Sequence, residues 1–122
     1  KQPGLIIIAV TFSLKSRPPA QCQAKIKSFL ATKINSQPLG ARSAGSIFKN
    51  PAMAPAWELI TEAEMRGYQI GGAKVSEDHA NFIINTGNAT AEQIVMLIAM
   101  IKQRVRVRFG VQLQEEIQYL GF

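Results

Sequence analysis

A long amphipathic helix near the C-terminal end is the feature that most restricts how this chain folds. Thr90 and Gln93 have the spacing of a capping box, in which each side chain bonds the other residue's backbone N–H at a helix start. Gly110 is typical of the residue that ends such a helix. Apolar residues recur at helical spacing between these ends, at Ile94, Leu97, Ile98, Ile101, Val105 and Phe109. A helix with one apolar face needs a packing surface, which the other elements are expected to supply.

Short runs of β-favouring residues predict a sheet. Phe82–Asn85 is a predicted strand, and residues 111–119 alternate between apolar and polar side chains, as a strand with one buried face does. Residues 68–75 also favour a strand. The Gly71-Gly72 pair within them indicates either a β-bulge or a backbone that passes close to a ligand.

A second helix is predicted to begin at Pro55 and to stop at Gly67, with Trp57 beside its buried face. We expect Trp57 to be a core residue. The order of elements predicts an α+β domain: a small, mostly antiparallel sheet with helices packed on one face, and the long helix immediately before the C-terminal strand.

Two further elements are predicted nearer the N-terminus. Residues 5–12 form a continuous, mostly β-branched apolar run, which predicts a strand buried on both faces. Few other segments of the chain are able to flank such a strand. A helix is predicted after Pro18, and its apolar residues at helical spacing are expected to be buried: Cys22, Ile26, Phe29 and Leu30.

The composition limits the classes of function. The 122 residues suit one domain, and 47% of them are hydrophobic, which is enough for a core. Cys22 is the only cysteine and His79 the only histidine, so an intrachain disulfide is excluded and we predict no metal site. No apolar run reaches the length of a membrane span. The net charge of +6 is compatible with nucleic acid, a membrane surface or an anionic small molecule.

Residues 43–51, with the sequence SAGSIFKNP, have the composition of a polar ligand site. Gly45 permits a positive φ or a close approach to a ligand, and Ser46 follows on that constrained backbone. Lys49 supplies a point charge for a phosphate or carboxylate, and Asn50 supplies donors and an acceptor. The alternative is a structural turn that leads into a helix, because Gly, Ser and Asn also favour turns for local reasons.

Three other polar features are open to two interpretations each. His79 is either a ligand contact or a loop histidine whose hydrogen bonds are satisfied within the protein. Glu116 lies on the polar face of the predicted last strand, where it points into a polar site or into solvent. The basic cluster at residues 102–108 is either a solvated end that complements the helix dipole or a nucleic-acid site.

Three ordered blocks of this sequence resemble the UDP-N-acetylenolpyruvoylglucosamine reductase family. Residues 43–51 are similar to the family's serine motif. The next block is matched by residues 67–73, 76–81 and 85–89, and the C-terminal block by residues 109–111, 116–117 and 120–121. The resemblance covers the family's C-terminal, substrate-binding domain. Residues 5–14 look like the last strand of the preceding flavin-binding domain, which implies a division into residues 1–14 and 15–122.

The resemblance implies a reductase of peptidoglycan synthesis in the bacterial cytoplasm. In this family NADPH reduces bound FAD, and the flavin passes a hydride to the enolpyruvyl group of UDP-N-acetylglucosamine enolpyruvate, giving UDP-N-acetylmuramate. The implied partners are this UDP-sugar and the missing flavin-binding domain, with neither nucleic acid nor membrane. The alternative function is a basic α+β binding module for nucleic acid or another anionic partner.

The resemblance also assigns roles to single residues. Ser46 matches the proton-donating serine, and Glu116 matches the catalytic glutamate that stabilises or orients an enol-like intermediate. Asn50 matches a substrate-contacting asparagine, and His79 stands where some members have a substrate-contacting glutamine. Gln37 and Lys49 are candidates for diphosphate or carboxylate contacts. The family's third catalytic residue is an arginine of the flavin-binding domain and has no counterpart here, so this chain alone is not expected to be an active reductase.

Overall fold

The computed structural model describes residues 6–38 and 40–121, without the side chains of residues 35 and 36. Within them the elements follow the order α1 (Pro19–Ser36), β1 (Ser43–Ser46), α2 (Ala56–Glu62), β2 (Gln69–Ile70), β3 (Ala73–Val75), β4 (Phe82–Asn85) and α3 (Ala91–Phe109). The chain divides into two compact units between Ala31 and Thr32. All six candidate site residues lie in the second unit, which also contains the sheet, α2 and α3.

The four strands form one antiparallel sheet in the order β1-β4-β3-β2, which confirms the predicted α+β class. The existence of β1 was not predicted, because residues 43–46 carry turn-forming side chains. The strand is nevertheless irregular: its register with β4 shifts between Ser43 and Ser46, and Gly45 has a φ of +85° between them. This left-handed backbone suits glycine, and it gives β1 a local distortion immediately before Ser46.

The long helix forms as predicted. The backbone N–H of Gln93 donates to Thr90 Oγ1 at 3.3 Å, and the backbone N–H of Thr90 donates to Gln93 Oε1 at 3.2 Å, which completes the capping box. Gly110 ends the helix in the left-handed conformation. The buried face of α3 comprises Leu97, Ile98, Ile101 and Val105, and it belongs to one core with residues of α2 and the sheet.

The Gly71-Gly72 pair is not a β-bulge, and its approach to a ligand stays a prediction. It is the two-residue turn between β2 and β3, and its backbone packs against the region that begins α3. The Gly72 N–H donates to Gln93 Oε1 at 3.0 Å. A Cβ on Gly72 would lie 2.4 Å from the backbone nitrogen of Ala89. Glycine is required here because the chain packs on itself.

The prediction of a strand at residues 5–12 is wrong for the part that the structure describes. Leu5 lies outside the described residues, and residues 6–12 have no regular secondary structure. Their large apolar side chains are exposed: Ile6, Ile7, Ile8, Val10 and Phe12. A strand needs hydrogen-bonding neighbours, and none of the described residues pairs with this segment.

Helix α1 forms, but the prediction that its apolar face is buried is wrong. Ile26, Phe29 and Leu30 are exposed, and so is Cys22. The spacing of apolar residues identifies a helix face suited to burial; it does not guarantee that the same chain buries it. None of the helices in the part of the chain that is described is long and apolar enough to cross a membrane.

Helix α2 ends earlier than predicted, at Glu62 and not near Gly67. Glu64 follows in the left-handed region with a φ of +60°. Its N–H donates to the Thr61 carbonyl at 3.0 Å, and the Met65 N–H donates to the Ile60 carbonyl at 3.1 Å. These two bonds are those of a Schellman motif, in which glycine is the usual left-handed residue.

We expect Glu64→Gly to stabilise the folded chain by about 1 kcal/mol, because a left-handed residue with a Cβ costs about 1–2 kcal/mol and glycine does not. The Glu64 side chain also accepts from Arg108 Nη1 at 3.3 Å, but this exposed ion pair contributes at most about 1 kcal/mol. Urea unfolding of the chain measures the change. Glu64→Ala is the control, since it removes the ion pair and keeps the Cβ; equal stability of the two variants would contradict the backbone argument.

Candidate functional site

The site begins at Ser46, the half-buried last residue of β1. Ser46 is opposite Phe82 in the register with β4. The chain continues beyond β1 into two fully buried residues, Ile47 and Phe48, and then emerges at Lys49 and Asn50, which are exposed. The motif is therefore a strand end followed by an anchored extended segment, and not the turn that we weighed as an alternative.

Asn81 holds that extended segment in place. Its side chain accepts from the Phe48 N–H at 3.0 Å and donates to the Phe48 carbonyl at 2.8 Å. Its own carbonyl accepts from the Ile47 N–H at 2.9 Å. Asn81 carries no sequence signal of this role, because an asparagine just before a strand is equally common as a simple turn residue.

Residues 114–116, near the C-terminus, run antiparallel to residues 47–49 on the side away from Asn81. The Lys49 N–H donates to the Gln114 carbonyl at 2.9 Å, and the Glu116 N–H donates to the Ile47 carbonyl at 2.8 Å. The predicted strand at residues 111–119 is reduced to one isolated bridge, between Phe48 and Glu115, because only this short stretch has a backbone to pair with. The predicted alternation of burial is present, with Leu113 buried and Glu116 exposed.

This pairing places Glu116 next to the serine motif although the two are far apart in sequence. Ile47, which receives the Glu116 N–H, is the residue after Ser46. Phe48, the residue after Ile47, is paired with Glu115. Asn50 lies two residues after Phe48. Ser46, Asn50 and Glu116 therefore lie on two adjacent antiparallel segments.

Glu115 ties this region to α3. Lys102 Nζ donates to Glu115 Oε1 at 2.9 Å, and both side chains are partly buried. The hydrogen bond from Lys102 holds the pKa of the Glu115 carboxyl below its usual range. The ion pair explains how a carboxylate fits on the apolar side of the segment.

A polar cleft of about 200 Å³ adjoins the motif, lined by Lys49, Asn50, Pro51, Gln112 and Gln114. Asn50 Oδ1 accepts from the Ala56 N–H at 3.0 Å, which fixes the side-chain amide and leaves Nδ2 as its donor. Lys49 forms no ion pair within the described residues, and the cleft has no acidic lining residue. The cleft therefore suits an anion with several oxygen acceptors.

His79 lies between two aromatic rings. Its ring centroid is 6.2 Å from that of Trp57 and 4.9 Å from that of Phe82. Trp57 is 38% exposed, so the prediction that it is a core residue is wrong. It follows Ala56, whose N–H bonds Asn50, and so the first turn of α2 connects Asn50 with His79.

Burial lowers the pKa of His79 below 6.5, and the nearby charge of Arg66 lowers it further, while a backbone hydrogen bond opposes both. The Asn81 N–H donates to His79 Nδ1 at 3.3 Å. Nδ1 is therefore the acceptor of a neutral imidazole, whose proton resides on Nε2.

We expect the imidazole of His79 to titrate below pH 6.5. Because this pKa is lower in the folded than in the unfolded chain, the neutral ring stabilises the fold above the unfolded pKa, and that stability is lost as the pH falls through the folded pKa. His79 is the only histidine, so its ring-proton NMR signals are identified directly and give the midpoint of its titration. Trp57→Ala should raise the midpoint by exposing the ring. A wild-type midpoint above 6.5 would contradict the burial argument.

Gln37 and the basic helix end stand apart from these contacts. Gln37 is half-buried in a bend after α1, and none of the interactions found in residues 6–38 and 40–121 links it to Ser46 or Glu116. In the basic cluster, Lys102 bonds Glu115 and Arg108 bonds Glu64, so two of its cations face carboxylates. No group of His, Cys, Asp and Glu among the described residues is suited to hold a metal ion.

Residues 37–120 match the family model of the C-terminal domain of UDP-N-acetylenolpyruvoylglucosamine reductase. This chain belongs to that reductase family. The reductase of Geotalea uraniireducens is 45% identical over 120 residues, which are 98% of this chain and 40% of that protein. The reductase of Sphingopyxis alaskensis is 43% identical over 118 residues, 97% of this chain and 40% of that protein. The resemblance seen in the sequence is confirmed.

The crystal structure of the reductase from Thermus caldophilus has the same fold over most of this chain. It superposes with a TM-score of 0.72 at 32% sequence identity, and it covers 87% of this chain and 37% of its own. The chain thus spans about two fifths of the length of the curated relatives that it matches.

Proposed function

We propose that this chain is the substrate-binding part of a flavoenzyme that reduces UDP-N-acetylglucosamine enolpyruvate to UDP-N-acetylmuramate, a peptidoglycan precursor, with NADPH as reductant and FAD as carrier. One observation supports the proposal: in a chain of this family, residues 47–49 pair through their backbone with residues 114–116, so the segments that carry Ser46, Asn50 and Glu116 are neighbours. The reaction would take place in the bacterial cytoplasm.

The two clefts next to the motif measure about 240 and 200 Å³, which is smaller than the range of about 300–1,000 Å³ for pockets that hold drug-sized ligands. We infer that a flavin-binding domain outside residues 15–122 holds FAD, and that residues 1–14 become its last strand when they pair with that domain. The exposed apolar side chains of residues 6–12 support this division, because such a patch usually marks an interaction surface.

Ser46 and Glu116 have complementary tasks in this proposal. Hydride addition to the enolpyruvyl double bond leaves negative charge towards the adjoining carboxylate, and the neighbouring carbon must then take a proton. Ser46 Oγ delivers that proton, provided that the hydroxyl is held within hydrogen-bond reach of the reacting carbon. Glu116 orients and stabilises the enol-like intermediate through a hydrogen bond.

The cleft at Lys49 and Asn50 binds the anionic groups of the UDP-sugar. Lys49 offers uncompensated positive charge, and Asn50 offers the donor that its contact with Ala56 leaves available. His79 adds the neutral Nε2–H donor described above. Gln37 remains a proposed contact on the strength of the resemblance alone. The net charge of +6 favours the approach of such a substrate.

A titration of the isotope-labelled chain with the enolpyruvyl UDP-sugar, followed by amide chemical shifts, tests the substrate half-site. We expect saturable shifts at Ser46, Lys49, Asn50 and His79 and a weaker response when UDP-N-acetylglucosamine replaces the ligand. Arg104→Ala, on the basic helix end, is the control and should bind as the wild type does. Shifts confined to residues 102–108 would contradict the proposed site.

A further inference from the structure

We propose that Asn81 is the positioning residue of this site, which sets the places of Ser46, Asn50 and His79 relative to one another. The inference rests on the function proposed above and adds a residue that the resemblance leaves without a role. Asn81 is only 3% exposed, so it touches no ligand directly. It acts through its hydrogen bonds to Ile47 and Phe48 in the extended segment and to the ring of His79.

The first reason is that the β-ladder alone does not fix the residues after β1. The register between β1 and β4 shifts between Ser43 and Ser46, where Gly45 adopts its positive φ. A register error of one residue turns every following side chain to the opposite face. The direction of Ser46 and Asn50 therefore depends on contacts beyond this ladder: the pairing of residues 47–49 with residues 114–116, and the bonds of Asn81.

Asn81 supplies such a contact at Phe48, which lies midway between Ser46 and Asn50. Its side-chain amide bonds both the N–H and the carbonyl of Phe48, as a neighbouring strand would do. Only one rotation of the amide and one position of Phe48 satisfy both bonds, since the amide has its donor on one side and its acceptor on the other. The bond from the Ile47 N–H to the Asn81 carbonyl repeats the restraint one residue earlier.

The same residue fixes His79. The Asn81 N–H donates to His79 Nδ1, which selects the tautomer with a proton on Nε2 and sets the ring orientation. A hydrogen-bond partner thus exists for the backbone N–H, the carbonyl and both ends of the side-chain amide. Each restrains either the segment between Ser46 and Asn50 or the imidazole, so one buried amide residue couples the proposed proton donor to the proposed substrate contacts.

The test uses the complete enzyme that we propose, with this chain as its C-terminal part. We expect Asn81→Ala to lower kcat for the enolpyruvyl substrate about 100-fold, the loss typical of a displacement of about 1 Å at a reacting group. Asn81→Asp keeps the acceptor for the Phe48 N–H and loses the donor, so its kcat should lie between those of Asn81→Ala and the wild type. In deuterated water the variants should show a larger solvent isotope effect, since proton delivery by Ser46 becomes the slow step.

Gln93→Ala is the matched control. The Gln93 side chain also bonds two backbone N–H groups, those of Gly72 and Thr90, but it lies at the start of α3. We expect a comparable fall in Tm with kcat within about twofold of the wild type. Equal kcat losses in Gln93→Ala and Asn81→Ala would overturn the positioning role and leave a general effect of stability. A wild-type enzyme that does not reduce the enolpyruvyl substrate would overturn the proposed function itself, whatever the variants do.

Discussion

Ser46→Ala should reduce turnover of the enolpyruvyl substrate by about two to four orders of magnitude in the complete enzyme, while NADPH reduces the flavin at the wild-type rate. A positioned general acid contributes about 10²–10⁴-fold to a rate, and alanine removes the only proton that this side chain can give. The backbone should not change, because Ser46 is a half-buried strand residue whose side chain makes none of the hydrogen bonds that anchor the motif. Stopped-flow absorbance of the flavin separates the reductive from the oxidative half-reaction.

Ser43→Ala is the control for this prediction. Ser43 belongs to the same strand but is exposed, and it lies before the distortion at Gly45. We expect its turnover to stay within about twofold of the wild type, as for a surface substitution that leaves stability almost unchanged. If Ser43→Ala and Ser46→Ala lose turnover equally, the strand matters and not the hydroxyl group. If Ser46→Ala keeps full turnover, another group delivers the proton.

The parts of the fold that the sequence predicted well are those decided by local interactions. Helix α3 carries its own start signal in Thr90 and Gln93, a regular apolar face and a glycine end, and all three are found in the structure. The short strand Phe82–Asn85 is also where its β-favouring residues predicted it. Such signals involve residues only a few positions apart, so they can be recognised in one sequence without knowledge of the fold.

The parts that were missed depend on distant partners. Ser43–Ser46 has turn-forming side chains and becomes a strand because β4 pairs with it. Residues 6–12 have strong strand propensity and form none, because no described residue pairs with them. A β-propensity describes how well a side chain fits a sheet that already exists. It does not reveal whether the neighbouring strand is present.

The candidate site shows the same division. Ser46, Lys49 and Asn50 were predicted because they are close together in one motif, and the resemblance to a family added a role for Glu116. Asn81 was not predicted, because its two side-chain hydrogen bonds join it to Phe48, which is far away in sequence. The turn propensity of asparagine does not distinguish a buried side chain that bonds a distant segment from a simple turn residue.

Gly72→Ala is expected to destabilise the isolated chain by about 3 kcal/mol, at the upper end of the cost of overpacking. The new Cβ would lie 2.4 Å from Ala89 N and 2.7 Å from the Asn88 carbonyl carbon, and both are backbone atoms that side-chain rotation cannot move. Separating the hairpin from the start of α3 would also stretch the bond from the Gly72 N–H to Gln93 Oε1. Urea unfolding, with no ligand added, measures the loss.

Gly87→Ala separates steric conflict from backbone strain. Gly87 has a φ of +142°, but a Cβ there would meet no atom within 4 Å. Its cost should therefore be that of the dihedral alone, about 1–2 kcal/mol. If Gly72→Ala is no more destabilising than Gly87→Ala in the free chain yet abolishes substrate binding, the glycine pair approaches a ligand after all. A large loss of stability without any ligand assigns these glycines to the packing of β2 and β3 against α3, and the site then consists of the segments around Ser46 and Glu116.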